Sequence, residues 1–277
     1  MKIAFWSNTN GRAGTTSNMA CIAVMCSMIQ KKKTILFENH CTIHNLEHIL
    51  TNTRGSVHNF LREQFAYYDQ TGLESLIKRV HSNHTYEDIM EDISMKFLQN
   101  LVYYLPRNLD LNQEYFEYEL NQVIHPLLGF LEDAADYVFV DTASSQNLST
   151  KTILDEADLV VVNLCQSKQV MDNFFHEYHG IMDKSVYLIG NYQPQSLCNL
   201  KNIQKCYKIE KEMTGVIPYN IEFHDALSSG SMIEFLTRNL ACKQEDENYY
   251  FIQEVIKASK MIWETAGRLR EESKIAT

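Results

Sequence analysis

The residues best suited to chemistry come first in the chain. Ser7-Asn8-Thr9-Asn10-Gly11-Arg12-Ala13-Gly14-Thr15-Thr16-Ser17 lies between a short apolar run and a stretch with helical spacing. Glycines and hydroxyls in that position can hold an anion. Backbone N–H groups at a helix start point outward, and glycine lets a ligand approach the backbone closely. Thr and Ser at a helix start can also simply cap it, so a plain strand–turn–helix has the same composition. Asp141 ends the apolar run Tyr137–Val140. His40, His44 and His48 recur every fourth residue, next to Cys41. On a helix that spacing puts the rings on one face, as in zinc-binding His pairs. A metal site there would need a helix through the segment and a further ligand. The alternative is a surface helix rich in histidine, and no HExxH or CxxC motif favours the metal.

These residues need elements to hold them. Short apolar runs occur at Lys2–Trp6, Thr34–Phe37, Asn100–Leu105, Tyr137–Val140, Leu159–Leu164, Ser185–Gly190 and Met213–Ile217. They alternate with helical patterns at Ser17–Gln30, Ser56–Arg79, Tyr86–Gln99, Glu114–Ala135 and Glu245–Lys274. Strands without polar alternation, separated by helices, predict a parallel sheet covered on both faces. The expected class is therefore doubly wound α/β, mostly parallel, with ligands at the carboxyl ends of the strands. No repeat or composition break divides residues 1–277, so one domain is expected. It would carry a helical insertion at about 55–99 and a C-terminal helix at about 245–274.

Taken in order, six segments resemble the MinD/ParA group of P-loop ATPases, the deviant Walker A family. Gly11-Arg12-Ala13-Gly14-Thr15-Thr16 lies over that family's Gly-Gly-Val-Gly-Lys-Thr. Thr34-Ile35-Leu36-Phe37-Glu38-Asn39-His40-Cys41 takes the place of its second strand and Asp-x-Asp-Pro switch. Asp136-Tyr137-Val138-Phe139-Val140-Asp141-Thr142-Ala143 matches its Walker B strand, and Glu156–Val162 is similar to its Ala-Asp-x-Val-x-Val strand. Gly190-Asn191 and Gly215–Asn220, followed by Ala226 through Gly230, are similar to the segments around its adenine pocket. The resemblance runs from Met1 to Leu236. It implies a P-loop fold that binds ATP or ADP with Mg²⁺. Gly11, Arg12, Ala13, Gly14, Thr15, Thr16 and Ser17 would lie around the phosphates. Thr16 and Asp141 would hold the metal, Asp141 through water. Asn191 and Pro218 would bound the base.

The departures are chemical. Asn10 and Thr15 stand where the family has its two loop lysines, His40 where the switch Asp prepares the attacking water, and Glu38 in place of that strand end's first Asp. Losing one well-placed charge-stabilising group raises a barrier by about 3 kcal/mol. Weak or absent hydrolysis is therefore expected, with Arg12 either a replacement cation or a solvated loop residue. The branch of the family without the P-loop lysine resembles the TadZ/CpaE proteins, which position a Tad-type pilus machine. Those proteins usually carry a receiver-like domain ahead of the first strand, and none is expected here. The resemblance thus implies a nucleotide-binding switch, closing as a homodimer, that positions a larger assembly such as a pilus or secretion machine through protein partners. Two other readings stay open. One is a nucleotide-free adaptor acting through its surfaces. The other is an active ATPase in which Arg12 and His40 replace the lost groups.

Charge and composition set the limits. Twenty-five Lys and Arg against 35 Asp and Glu give a net charge of −10, which disfavours general nucleic-acid binding. No apolar stretch approaches a membrane span, and no signal peptide is recognisable, so a cytoplasmic protein is expected. The C-terminal helix could lie on lipid. Glu254, Glu264, Glu271 and Glu272 dilute its basic face, so packing on the sheet is favoured over peripheral membrane binding. Lys31-Lys32-Lys33 reads as a solvated turn at a helix end. The tyrosines and phenylalanines near Phe65–Tyr68 and Tyr103–Tyr118 read as core, with a partner surface as the alternative.

Overall fold

A computed structural model describes residues 1–40, 45–51, 70–84, 88–108, 111–144 and 147–276. Eight strands form one sheet among these residues: β1 (Lys2–Trp6), β2 (Thr34–Glu38), β3 (Met95–Phe97), β4 (Val102–Tyr104), β5 (Tyr137–Asp141), β6 (Leu159–Leu164), β7 (Ser185–Tyr192) and β8 (Thr214–Pro218). Their order is β3-β4-β2-β5-β1-β6-β7-β8. All neighbours run parallel except β3 against β4. The α/β, mostly parallel class read from the sequence is the observed one.

The apolar runs become central strands because they can be buried on both sides. β2, β5 and β6 are buried at every position. Alternation then divides each strand between two cores. Ile3, Phe5, Leu36, Phe139 and Val161 face one side. There they meet α1 (Thr15–Gln30) and the C-terminal helices Ile221–Ser229, Met232–Asn239 and Tyr249–Ala276. Ala4, Trp6, Ile35, Val140 and Val162 face the other side. There they meet the helices Gly72–His81, Gln113–Ala134 and Lys168–Glu177. From β1 the chain goes to one side of the sheet to form β2, and after β5 it crosses to the other side to form β6. The direction of winding therefore reverses around β1, and a crevice opens at the carboxyl ends of the strands there.

The structure corrects or completes some of these readings and bears out others. Tyr86–Gln99 is not one helix. A short helix at Ile89–Ile93 is followed by strand β3, and the chain returns to β4 through Leu98, Gln99 and Asn100, all left-handed with φ of 51°, 54° and 65°. That turn contains no glycine, so its type was hidden. Of the insertion expected at about 55–99, residues 55–69 and 85–87 lie outside the described residues, with Phe65, Tyr67, Tyr68 and Tyr86 among them. The C-terminal helix runs Tyr249–Ala276 and packs its buried face on the sheet, with Phe251, Ile252, Val255, Ala258 and Ile262 in the core. Lys31–Lys33 is a structural turn. Lys31 ends α1 in a left-handed conformation, Lys32 Nζ lies 3.1 Å from Asp136, and Lys33 Nζ sits 4.4 Å from the Tyr103 ring. No described helix is long and apolar enough to cross a membrane.

A buried ion pair joins the far half of the sheet to its helices. Arg107, 1% exposed, follows β4. Its Nε donates to Glu74 Oε1 over 3.4 Å, and its guanidinium lies 3.3 Å from the Phe116 ring centroid. Burial raises the Glu74 pKa, and Arg107 opposes that rise. Removing one partner of such a pair strands a charge in the interior. Arg107→Met should cost about 3 to 5 kcal/mol in urea unfolding. Adding Glu74→Gln should recover part of that loss. A double variant as unstable as the sum of the two single variants would contradict the pairing.

Candidate functional site

The loop after β1 is fastened from below and open above. Asn18, buried in the second turn of α1, donates its side-chain amide to Ala13 O (2.9 Å) and to Asn163 Oδ1 on β6 (3.0 Å). Asn8 donates to Val170 O (3.0 Å) and Asn173 Oδ1 (2.9 Å), tying the loop to the helix Lys168–Glu177. Gly190 on β7 lies under the loop. A Cβ there would stand 2.2 Å from Ala13 O. Gly14 then turns the chain into α1 with φ 67° and ψ 36°, a left-handed conformation that glycine adopts without strain.

No side chain caps α1. Ser17 Oγ donates to the Gly14 carbonyl over 3.0 Å instead of accepting from an amide. The N–H groups that open a helix have no partner within it. Those of Thr15, Thr16 and Ser17 therefore face the crevice with the positive end of a 16-residue helix behind them. Thr15, Thr16 and Ser17 are half-buried, Ala13 is buried, and Gly11 and Arg12 are exposed. The space a Cβ would take at Gly11 is empty to 4 Å. The seven loop residues thus run from the exposed Gly11 and Arg12 down to the half-buried start of α1.

The second group lies at the ends of β2 and β5. Glu38 and Asp141 are register partners on these adjacent strands, so their side chains leave the sheet on the same face, the α1 face. Both are 1% exposed. Glu38 accepts from Leu46 N (2.9 Å) and from the Tyr104 hydroxyl (3.1 Å). His40 Nε2 lies 3.0 Å from Asp141 Oδ2. Asp141 Oδ1 is buried with no hydrogen-bond partner. Burial pushes the Glu38 carboxyl up to about 7. Burial alone would lower the His40 pKa, but Asp141 and then Glu38 outweigh it and raise it to about 9.

His40 therefore does not belong to a helical histidine series. It sits in a bend after β2, and the next described helix begins at Leu46 with Asn45 as its cap. His44 and Cys41 lie outside the described residues. His48 turns its Nδ1 to Asn45 Oδ1 at 2.8 Å.

Sequence reasoning passed over Asn39. It is fully buried, and its side chain accepts from Ala143 N (2.7 Å) and donates to Ser149 Oγ (3.3 Å) and Thr150 Oγ1 (3.1 Å). Its own N–H donates to Asp141 O over 3.0 Å. Asn39 thus clamps the segment after β5 against the end of β2. A polar residue closing an otherwise apolar strand, beside Glu38, was the available signal.

The third group is Asn191 and Pro218, at the ends of neighbouring strands β7 and β8. Asn191 is left-handed (φ 49°) and directly follows Gly190, so it stands beside the loop. Its Oδ1 accepts from His224 Nε2 at 3.0 Å. Pro218 is buried, and the exposed Tyr219 after it puts its ring 5.0 Å from that of His224.

Comparison with known proteins adds the fold. No family model matches the sequence, and no curated protein sequence matches it. Solved structures do match. A ParA family ATPase from Chlorobium tepidum superposes with a TM-score of 0.67 at 13% identity, covering 94% of this chain and 97% of that one. The septum site-determining protein MinD from Pyrococcus horikoshii, solved with Mg-ADP, gives 0.64 at 14% identity over 97% and 99%. A plasmid partition protein from Borrelia burgdorferi bound to AMPPNP gives 0.59 at 14% identity over 95% and 98%. At these identities the likeness establishes the shared P-loop α/β fold.

Gly190→Ala tests the fastening of the loop. The new methyl would meet a backbone oxygen, so Ala13 and the loop must shift. Urea unfolding should show a loss of about 1 to 3 kcal/mol. An unchanged midpoint would mean that the loop floor is not close-packed.

Proposed function

We propose that this protein is a ParA/MinD-like nucleotide-binding switch with weak or absent ATP hydrolysis. One observation carries the reading: the uncapped amides of Thr15–Ser17 behind left-handed Gly14, held in an open loop whose floor is locked by Asn18, Asn163 and Gly190. An anion at that point gains hydrogen bonds and the helix dipole, and the loop does not have to reorganise to receive it. Solved neighbours of the same fold carry Mg-ADP and AMPPNP, which supports a nucleoside di- or triphosphate as the anion.

In this reading the amides of residues 14–17, with Gly11 giving close approach, hold the phosphates. Thr16 offers its hydroxyl and Asp141 its unpartnered Oδ1 to Mg²⁺. A bound magnesium ion would neutralise phosphate charge. Asn191, Pro218 and Tyr219 border the base. Thr15 contributes an amide but no ammonium. His40, engaged with Asp141, is poorly placed to orient a water for attack. Phosphoryl transfer depends on such placed charges, so binding outlasts turnover. The bound state is then the output. By analogy with the partition and division proteins of this fold, it closes a homodimer that positions a larger assembly, of which a Tad-type machine of the TadZ/CpaE kind is one form.

A second reading, a nucleotide-free adaptor, draws on two contacts. His224 occupies the Asn191 side chain, and His40 occupies one oxygen of Asp141. Both groups would otherwise meet ligand.

Thermal unfolding separates the two readings. Millimolar Mg-ATP should raise the Tm of the switch, since ligand at about a hundred times Kd adds about 2.7 kcal/mol. Thr15→Lys should tighten ATP binding roughly tenfold or more, as a charge-assisted contact worth about 1.5 to 3 kcal/mol would. It should also raise phosphate release. No Tm shift in either protein would favour the adaptor.

A further inference from the structure

The ends of β2 and β5 hold an electrostatic problem that the nucleotide reading does not address. Register pairing forces Glu38 and Asp141 to the same face, where both are buried. Two carboxylates in one dry site repel each other and lose their hydration. His40 answers only part of this. As an imidazolium it supplies one positive charge against two negative ones. Its Nε2 meets Oδ2 of Asp141, while Asp141 Oδ1 stays buried without a hydrogen-bond partner. Arg107, the nearby guanidinium, is already committed to Glu74.

A divalent ion resolves both deficits. Bound to a neutral imidazole, it would cancel both carboxylate charges and fill the empty valence of Asp141 Oδ1. The donor atoms of Glu38, His40 and Asp141 already lie within 4.8 Å of one another. Around an ion with bonds of about 2.0 to 2.2 Å, ligand atoms stand roughly 3 to 3.5 Å apart, so a side-chain adjustment of about 1 Å closes the shell. Glu38 is held ready by Leu46 N and the Tyr104 hydroxyl. These contacts orient the carboxylate and leave it a lone pair for the ion.

The donor set also selects the ion. Mg²⁺ prefers an all-oxygen shell and keeps its waters. One imidazole with two carboxylates suits zinc, iron, manganese or cobalt. We infer that Glu38, His40 and Asp141 form a binding site for a divalent first-row transition-metal ion, which the protein takes up without nucleotide. The site shares Asp141 with the proposed nucleotide site but does not rest on that reading. Its donors are side chains, whereas the phosphate cradle is made of the amides of residues 14–17.

Cobalt titration of chelator-stripped, nucleotide-free full chain is the test. Co²⁺ should bind near one equivalent per chain and develop visible d–d absorption. Zn²⁺ should displace it and excess Mg²⁺ should not. His40→Gln and Asp141→Asn should each weaken Co²⁺ at least tenfold while keeping a cooperative thermal transition, and His48→Ala should bind as the parent does. No absorption at micromolar Co²⁺ would overturn the site. So would Co²⁺ binding that His40→Gln leaves unchanged, or displacement by Mg²⁺ as effective as by Zn²⁺. Should His40→Gln fail to fold, retention of Co²⁺ by Glu38→Gln and Asp141→Asn would overturn it equally. A parent chain that binds no Co²⁺ yet shows an ATP-induced Tm shift would sink this inference alone.

Discussion

The side-chain amide of Asn18 bonds at once to the loop it must hold and to the sheet that holds it. One hydrogen goes to Ala13 O, the other to Asn163 on β6. Burial makes both bonds obligatory, because an unpaired amide in the interior costs about 1 to 3 kcal/mol. The same fastening lets the first amides of α1 remain uncapped. A helix start without a cap is stabilised elsewhere or filled by a ligand. Here Asn8 and Asn18 fix the loop from its sides and floor, and glycine at 190 keeps a Cβ from pressing on Ala13 O. The open amides are thus a consequence of how the loop is anchored.

The carboxylates at the ends of β2 and β5 follow from topology in the same way. Adjacent parallel strands in register bring Glu38 and Asp141 to one face, whatever their mutual repulsion. Burial and like charge each work against ionisation here, and His40 is the counter-group found there. Titratable groups perturbed in this way cluster at binding and catalytic sites, though structural ion pairs show the same signature. Asn39, between them in the fold, ties the end of β2 to Ala143, Ser149 and Thr150 after β5.

Much of this was legible in the sequence. Leu159–Leu164 and Tyr137–Val140 read as central strands because they contain no polar alternation, and they are buried throughout. The glycine-and-hydroxyl loop declared itself by lying between a strand and a helix. Long-range pairing was not legible. Nothing in the spacing of His40, His44 and His48 tells that His40 faces Asp141, 101 residues away. Periodicity reads neighbours along one helix and is blind to neighbours across a sheet. Strand β3 was lost for a local reason: Leu98 and Gln99 adopt left-handed backbone that their types do not advertise. Nothing in the sequence singles out Arg107 and Glu74, which the fold buries as a pair.

The account rests on backbone amides gripping a triphosphate where the usual ammonium group is missing. Amide ¹H–¹⁵N spectra during a titration with a non-hydrolysable ATP analogue and magnesium observe those groups directly. The account predicts saturable shifts at Gly14, Thr15, Thr16 and Ser17 that are larger than those on the opposite face of the sheet. Resonances of these four residues that stay fixed at millimolar analogue, in a protein otherwise folded, would contradict it.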